Sequence, residues 1–227
     1  MNSIPAEFRA DEAALVIIDT QEKWVPMIPN RHTLVANMRT LVKLARCFEM
    51  PIVVAEHLPW VIGETVIELR ELLDSTTPVI KKTVYNTFDD PRFVQAIERT
   101  GRKQLLFCGI ETHVCMGLPA LEAMRRGYQV FVATDCTGAQ MESDRDTAFQ
   151  RFWQAGIVPT TWNTVAFEGL RHIELHDGIP ANARSRGVSD IWLAALPHVL
   201  NQFAYQADKD PARQSAPQAS PARRRSA

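Results

Sequence analysis

Short apolar runs alternate with amphipathic stretches along the first 170 residues. The run from Ala13 to Ile18 (AALVII) is almost continuously apolar, which is typical of a β-strand covered on both faces. Five further apolar runs begin at Ile52, Pro78, Gln104, Gln129 and Ile157. The stretches between them carry apolar residues at helical spacing. This alternation predicts an α/β fold with three layers (α/β/α) and a six-stranded parallel, Rossmann-like sheet.

Capping signals mark several helix boundaries. Asp90 and Pro91 supply an N-cap and a first-turn proline for one helix, which Gly101 ends. Ser143 is the candidate N-cap of a later helix that stops at Gly156. These signals agree with the helices that the apolar spacing predicts.

Composition divides the chain into four segments. Residues 1–12 are predicted to form a mobile or loosely docked arm, and residues 13–170 the α/β domain. Residues 171–205 form a C-terminal extension with a helix. Residues 206–227 are rich in Ala, Pro, Ser, Gln and Arg, which is the composition of a disordered tail.

The extension begins with a polar, irregular stretch that runs to Arg186. Its second part, Val188 to Tyr205, has the spacing of a helix that is kinked or interrupted at Pro197. The apolar residues of this helix need cover from the domain or from a second copy of the chain. They are one reason to expect a homo-oligomer.

Charge and cysteine content narrow the class of protein. The formal net charge is -1, so no global field attracts nucleic acid or an anionic membrane. No apolar run approaches the ~20 residues that span a bilayer, and the N-terminus lacks the pattern of a signal peptide. The four cysteines form no CxxC pair. We therefore expect a cytoplasmic protein with reduced thiols and a small-molecule substrate, without nucleic-acid or membrane partners.

Polar residues follow the predicted strands at one edge of the sheet. In an open parallel sheet, ligands bind beyond the carboxyl ends of the strands. Asp19 follows the first strand, Lys82 the third, and Cys115 the turn after the fourth. Each has a structural interpretation as well: a turn acid, a surface lysine and a buried thiol. Their placement at the same edge favours a catalytic constellation.

Cys115 is the candidate nucleophile. It stands close to the start of a predicted helix, where backbone N–H groups and the helix dipole favour a thiolate. Lys82 is also expected to lower the pKa of the thiol, whereas Asp19 alone would raise it. The three groups are expected to titrate as a coupled unit.

Three motifs resemble the isochorismatase-like cysteine hydrolases. They are IIDTQ (Ile17 to Gln21), KTVYNTF (Lys82 to Phe88) and GIETHVC (Gly109 to Cys115). The similarity extends from about Ala13 to Leu170 and is greatest to a branch of poorly characterised, metal-independent hydrolases. The resemblance implies the three-layer fold that the apolar pattern also predicts.

The resemblance also implies a catalytic triad of Asp19, Lys82 and Cys115. In this family Asp19 would take the thiol proton and later activate water, Lys82 would stabilise negative charge, and Cys115 would form a thioester. A non-proline cis peptide is implied between Ile110 and Glu111. It would help to aim the N–H groups of Glu111 and Cys115 at the substrate oxyanion.

Eight residues near these motifs are candidates to line the substrate pocket, although core packing is an equal expectation for the aromatic ones. They are Gln21, Trp24, His57, Trp60, Tyr85, Asn86, Phe88 and His113. No metal and no other cofactor is expected. The segment AEHLPWVIG contains Glu56 and His57 but lacks the Asp-x-His cluster of the family's nicotinamidases.

The sequence thus predicts a metal-independent cysteine hydrolase of a small amide or related C–N bond. Two alternatives stay open. One is an isochorismatase-type vinyl-ether hydrolase, in which Cys115 is not needed as an acylated nucleophile. The other is a non-catalytic, oligomeric binding protein that keeps the pocket.

Overall fold

A six-stranded parallel sheet forms the centre of the computed structural model. The structure describes residues 6–172, 175–176, 179–180 and 182–208, with the backbone alone for 175–176, 179–180 and 196–208. The strand order is β3-β2-β1-β4-β5-β6. The strands are β1 (Ala13–Ile18), β2 (Ile52–His57), β3 (Val79–Lys82), β4 (Gln104–Ile110), β5 (Gln129–Gly138) and β6 (Val158–Thr160). The predicted fold class is confirmed.

Helices cover both faces of this sheet. The helices are α1 (Arg31–Cys47), α2 (Pro59–Ile62), α3 (Ile67–Arg70), α4 (Pro91–Arg99), α5 (Gly117–Arg125), α6 (Glu142–Gln154), α7 (Trp162–Leu170) and α8 (Ala183–Asp208). Helices α4, α5 and α6 supply buried residues to the core on one face. Helices α1 and α7 pack against each other and on β5, which completes the three layers.

Strand β1 shows why the apolar runs are so uniform. All six of its residues are buried. Ala14, Val16 and Ile18 belong to the core shared with α4, α5 and α6. The residues between them point to the other face, because successive side chains of a strand alternate. A central strand covered on both faces therefore has no polar position, and its first polar residue marks its end.

The arm is docked where the structure describes it. Phe8 is fully buried, and its ring meets that of Phe131 edge-on at 5.5 Å between centroids. The N–H of Arg9 donates to Gln104 Oε1 at 2.8 Å. Residues 6–12 are thus held more firmly than the sequence indicated, because one aromatic side chain is buried against β5.

Helix boundaries agree with the predicted N-cap of α4 and differ at that of α6. The Asp90 side chain accepts from the N–H of Arg92, so Asp90 is the N-cap of α4 as predicted. Helix α6 begins at Glu142 with Met141 at the N-cap position, so the assignment of Ser143 as its cap is wrong. Acidic residues in the first turn of α6, Glu142 and Asp144, complement the helix dipole in place of a side-chain cap.

Helix α7 was not predicted. Its first turn is held by Thr161, whose hydroxyl accepts from the N–H of Thr164 at 3.1 Å. The carboxylate of Asp135, in the second half of β5, accepts from the N–H of Trp162 at 3.2 Å. Asp135 therefore caps a helix on the α1 side of the sheet.

The extension is more regular than its polar composition predicted. Two short antiparallel strands, β7 (Leu175–His176) and β8 (Ile179–Pro180), lie within it. Helix α8 begins at Ala183, where Asn182 Oδ1 accepts from the N–H of Ser185 at 2.7 Å, and it continues past Pro197. The prediction that the chain is irregular as far as Arg186 is therefore wrong in part.

The chain divides into two compact units after Ile191, within α8. Residues 209–227, most of the predicted tail, lie outside the described residues. The four-segment division stays a prediction. Among the described helices, none combines the length and apolar character needed to cross a bilayer.

Candidate active site

The ends of β1, β2 and β3 bring three polar residues to one edge of the sheet. Asp19 follows β1, and its N–H donates to the carbonyl of Ala55 on β2 at 3.0 Å. His57 and Lys82 are register partners at the last positions of β2 and β3. Because neighbouring parallel strands end together, these side chains meet where the sequence placed them.

Asp19 and Lys82 form a buried ion pair. Lys82 Nζ donates to Asp19 Oδ2 at 2.8 Å and to the carbonyl of Val84 at 3.2 Å. The Lys82 side chain is 0% exposed and that of Asp19 is 7% exposed. Burial raises the pKa of Asp19, although the charge of Lys82 and hydrogen bonds from Lys82 and Cys115 oppose this. The interpretation of Lys82 as a solvated surface lysine is thereby excluded.

Cys115 lies next to this pair with a protonated thiol. It is 6% exposed and precedes the first residue of α5, Gly117, by two positions. Burial raises the pKa of the Cys115 thiol to about 12. The charge of Asp19 raises it further, and that of Lys82 opposes both. The expected directions hold, since the charge of Lys82 lowers this pKa and that of Asp19 raises it. The expectation of a thiolate is wrong for the free protein, because burial outweighs Lys82.

The turn between β4 and α5 wraps around Cys115. The peptide bond between Ile110 and Glu111 is cis, as the resemblance implied. The carbonyl of Glu111 accepts from the N–H groups of Val114 and Met116, both at 3.1 Å. Within the described part of the chain, neither the N–H of Glu111 nor that of Cys115 donates to a backbone carbonyl outside the regular elements. Two backbone donors thus remain beside the thiol.

Two threonines fasten this turn to the end of β5. The N–H of Thr112 donates to the carbonyl of Gly138 at 2.9 Å. The Thr137 hydroxyl donates to the carbonyl of Gly109 at 2.8 Å and lies 3.2 Å from the hydroxyl of Thr112. The apolar run that begins at Gln129 gave no signal for these contacts, because β5 continues beyond that run to Gly138.

Glu111 connects the turn to two other segments. Its Oε1 accepts from Trp24 Nε1 at 2.9 Å. Its Oε2 lies 3.6 Å from His113 Nδ1, and His113 Nε2 lies 3.7 Å from Asp144 Oδ2. Glu111 thus links the turn before α5 to the loop after β1, and His113 of the same turn lies near the first turn of α6.

The Gln21 amide is engaged with the backbone around β2. Its Oε1 accepts from the N–H of His57 at 2.8 Å, and its Nε2 donates to the carbonyls of His57 and Gly63 at 3.0 and 2.5 Å. Gln21 is fully buried. In this structure its amide fixes the loop that follows β2.

Glu56 has a similar structural role. Its Oε1 accepts from both the N–H and the hydroxyl of Thr65 at 2.8 Å. Across the described residues, no group of three or more His, Cys, Asp or Glu side chains is arranged to hold a metal ion.

His57 lies beside the ion pair, and the exposed ring of Tyr85 stacks on it. The His57 ring stacks on Tyr85 with 5.3 Å between centroids, and its Nδ1 is buried without a hydrogen-bond partner among the described residues. Burial and the charge of Lys82 lower the pKa of His57, so the imidazole is neutral at pH 7. Tyr85 and Trp60 are 61% and 66% exposed. Aromatic surface is therefore available next to Lys82.

Asn86 and Phe88 have structural roles after β3. Asn86 Oδ1 accepts from the N–H of Phe88 at 3.2 Å and caps a short 3-10 helix, Thr87–Asp89. Phe88 is buried and meets Phe93 edge-on at 5.0 Å. For Phe88, core packing is what the structure shows.

A family model for the isochorismatase domain matches residues 13–164. This match covers more than half of the chain. The chain belongs to the isochorismatase family. The three motifs that carried the resemblance all lie within the matched residues.

Relatives within the isochorismatase family narrow this assignment. The probable hydrolase YcaC of Escherichia coli (strain K12) is 32% identical over 163 residues, or 70% of this chain and 77% of that protein. The E. coli YcaC crystal structure, described as an octameric hydrolase of unknown specificity, has a TM-score of 0.78 at 27% identity and covers 92% of this chain and 100% of that one.

A second solved relative is YcaC from Pseudomonas aeruginosa, with hexane-2,5-diol and covalent acrylamide. It has a TM-score of 0.75 at 28% identity and covers 87% of this chain and 97% of that one. The chain is therefore a YcaC-like hydrolase of the isochorismatase family.

Proposed function

We propose that this chain is a metal-independent cysteine hydrolase that cleaves a small amide or related C–N bond through a thioester on Cys115. The observation that carries the proposal is the buried Asp19–Lys82 ion pair with the buried Cys115 thiol next to its carboxylate. A nucleophile, a base and a fixed cation are the groups that covalent acyl transfer requires.

Acylation begins with proton transfer from the Cys115 thiol to Asp19. Burial raises the pKa of Asp19, so this carboxylate is a stronger base than an exposed one. The sulfur attacks the carbonyl carbon, and the N–H groups of Glu111 and Cys115 receive the developing oxyanion. Asp19 then gives the proton to the leaving nitrogen as the C–N bond breaks. Lys82 balances the negative charge throughout.

Deacylation uses the same carboxylate. Asp19 takes a proton from a water molecule, whose oxygen attacks the thioester carbon. The C–S bond breaks, the carboxylic acid leaves, and the proton returns to the Cys115 sulfur. The raised pKa of the Cys115 thiol favours this last step, because the free thiol is the stable form.

The Pseudomonas relative supports a reactive nucleophile in proteins of this kind. That protein carries covalent acrylamide, a small amide-bearing electrophile. For the present chain, the geometry around Cys115 offers the corresponding nucleophile. The acyl group of the natural substrate is a separate matter, which the following experiment addresses.

The test is turnover of a panel of small amides together with intact-mass detection of an acylated protein. We expect turnover and a mass increase equal to the acyl group, located on the Cys115 peptide. Cys115→Ala is expected to abolish both, by at least about 10³-fold for turnover. Cys47→Ala, which removes a partly exposed thiol outside the site, is expected to behave as the wild type.

Two results contradict the proposal. Turnover that survives Cys115→Ala shows that the cysteine is not the nucleophile, as in vinyl-ether hydrolysis. The absence of both turnover and an acyl adduct across the whole panel favours the non-catalytic binding protein.

We also propose that the chain forms a homo-oligomer. The E. coli relative is described as octameric. Large apolar side chains are exposed on the described surface, among them Trp60, Tyr85 and Trp153. Light scattering on the full chain is expected to give a mass that is a multiple of 25.6 kDa. A monomer at micromolar concentration contradicts this.

A further inference from the structure

The charges around Cys115 do not balance. Asp19 and Lys82 neutralise each other in their ion pair at 2.8 Å. Glu111 is a third charged residue of the same site. Within the described part of the chain, no lysine or arginine forms an ion pair with Glu111, and its polar side-chain neighbours are Trp24 and His113. No permanently charged cation therefore offsets Glu111, because His113, 3.6 Å from its Oε2, is a cation only when protonated.

The Glu111 carboxylate is held in place rather than free to turn into solvent. Its side chain is 11% exposed. The indole N–H of Trp24 binds one oxygen at 2.9 Å, and the backbone carbonyl of Glu111 closes the turn that carries Cys115. The charge of Glu111 raises the pKa of the Cys115 thiol, which shows that the two groups interact.

Other groups nearby do not supply enough positive charge to balance the carboxylates. A protonated His113 would offset only one of the two carboxylates that it lies between, Glu111 and Asp144. Burial lowers the pKa of His57, which leaves its imidazole neutral at pH 7. Asp144 lies 3.7 Å from His113 and adds a second carboxylate at the rim. Arg145, the next residue, is paired with Asp146 at 3.0 Å. A substrate that approaches the thiol therefore meets excess negative charge.

We propose that Glu111 is a specificity-determining residue that excludes substrates with a carboxylate beside the scissile bond and favours neutral or cationic amides. The inference rests on the function proposed above and adds the charge of the substrate to it. A carboxylate near the thiol has no cation to pair with, because Lys82 is committed to Asp19. Dicarboxylates such as isochorismate are thereby disfavoured.

The test compares two alkylating reagents of nearly equal size. Iodoacetamide is neutral and iodoacetate is anionic, and mass spectrometry of the Cys115 peptide gives the rate constant for each. The rate ratio, amide over acetate, is expressed relative to that of a small thiol in solution. We expect the ratio to be about tenfold larger for Cys115, as for one charge a few ångströms away in a partly buried site.

Glu111→Gln removes the charge and retains an oxygen that can accept from Trp24. Its ratio is expected to fall close to that of the solution thiol. A lowered thiol pKa in this variant accelerates both reagents equally, so the ratio isolates the charge of the reagent. Glu122→Gln, on α5 and paired with Arg125 and Arg126, is the matched control and is expected to keep the wild-type ratio.

Salt provides a measurement that needs no variant. The wild-type ratio is expected to decrease as sodium chloride is raised, because added ions screen Glu111. A wild-type ratio equal to that of the solution thiol overturns the proposal, as does a large ratio that Glu111→Gln leaves unchanged. In both cases amide turnover through Cys115 still stands.

Failures of the two proposals can be told apart. A Cys115 that reacts with neither reagent overturns this proposal together with the proposed function. Charge selection that depends on Glu111, in a protein that turns over no amide, supports the present inference and contradicts only the proposed function.

Discussion

Replacement of Lys82 by methionine is expected to lower the free energy of unfolding by about 3–5 kcal/mol at neutral pH. Methionine is close to lysine in length and leaves no cavity. The loss arises because Asp19 stays buried, with a 7% exposed side chain and no cation at 2.8 Å. Urea denaturation followed by circular dichroism measures the change.

The adjacent lysine is the matched control for this substitution. Lys81 is 54% exposed and lies 4.0 Å from Glu64. Lys81→Met is expected to change the free energy of unfolding by less than about 0.5 kcal/mol. Similar losses for the two variants would contradict the role of a buried ion pair at Asp19.

The penalty for Lys82→Met is expected to depend on pH. Burial raises the pKa of Asp19 above its ordinary value of 3.8, and Lys82 limits that increase. Without Lys82 the folded-state pKa rises further, so the folded variant binds the Asp19 proton more tightly than the unfolded chain does. The stability that the variant gains from this proton is therefore fully present below about pH 4 and is lost as the pH rises through the folded-state pKa of Asp19.

Denaturation of the wild type and the variant at pH 4.5, 6 and 8 therefore should show a penalty that grows with pH. A penalty that is constant over this range would show that the substitution acts through packing alone. The double variant Asp19→Asn, Lys82→Met is expected to be more stable at pH 8 than Lys82→Met, because it carries no buried charge at either position.

The fold and the three central residues were predictable because both depend on strand ends. A central strand such as β1 has no polar position, so Asp19 marks its carboxyl end directly. Lys82 is the last residue of β3, an edge strand, and is buried there although Lys81 before it is exposed. Once parallel strands are inferred, their carboxyl ends must share an edge. Helix α7 could also have been predicted from the sequence, because its buried residues have helical spacing. They are Trp162, Val165, Ala166 and Leu170.

The electrostatics of Cys115 were not predictable from sequence. The pKa of the thiol depends on burial against the charges of Asp19, Lys82 and Glu111, and residue order does not give the depth of burial. The contacts of the turn between β4 and α5 could not be predicted from the sequence either. Trp24 and Glu111 are 87 positions apart, and Thr137 reaches Gly109 only because β5 is longer than its apolar run.

Gly109→Ala is expected to prevent stable folding, with a loss of more than about 4 kcal/mol from a domain whose total stability is of order 5–15 kcal/mol. Gly109 has a φ of +119°, and a Cβ there would overlap the carbonyl oxygen of Ile18. Gly109 and Ile18 are register partners on β4 and β1, so neither backbone can move without breaking the pairing next to Asp19. We expect little soluble protein and no cooperative thermal transition.

Gly101→Ala separates this clash from the cost of the backbone angle alone. Gly101 has a φ of +64°, and a Cβ there has no neighbour within 4 Å. Alanine at this position should therefore cost only about 1–2 kcal/mol, the usual cost of a left-handed conformation. If Gly109→Ala were as stable as Gly101→Ala, β1 and β4 would not approach as closely as the structure has them. The difference between the two variants thus measures how tightly the strand that ends at Asp19 is packed against the strand that leads to Cys115.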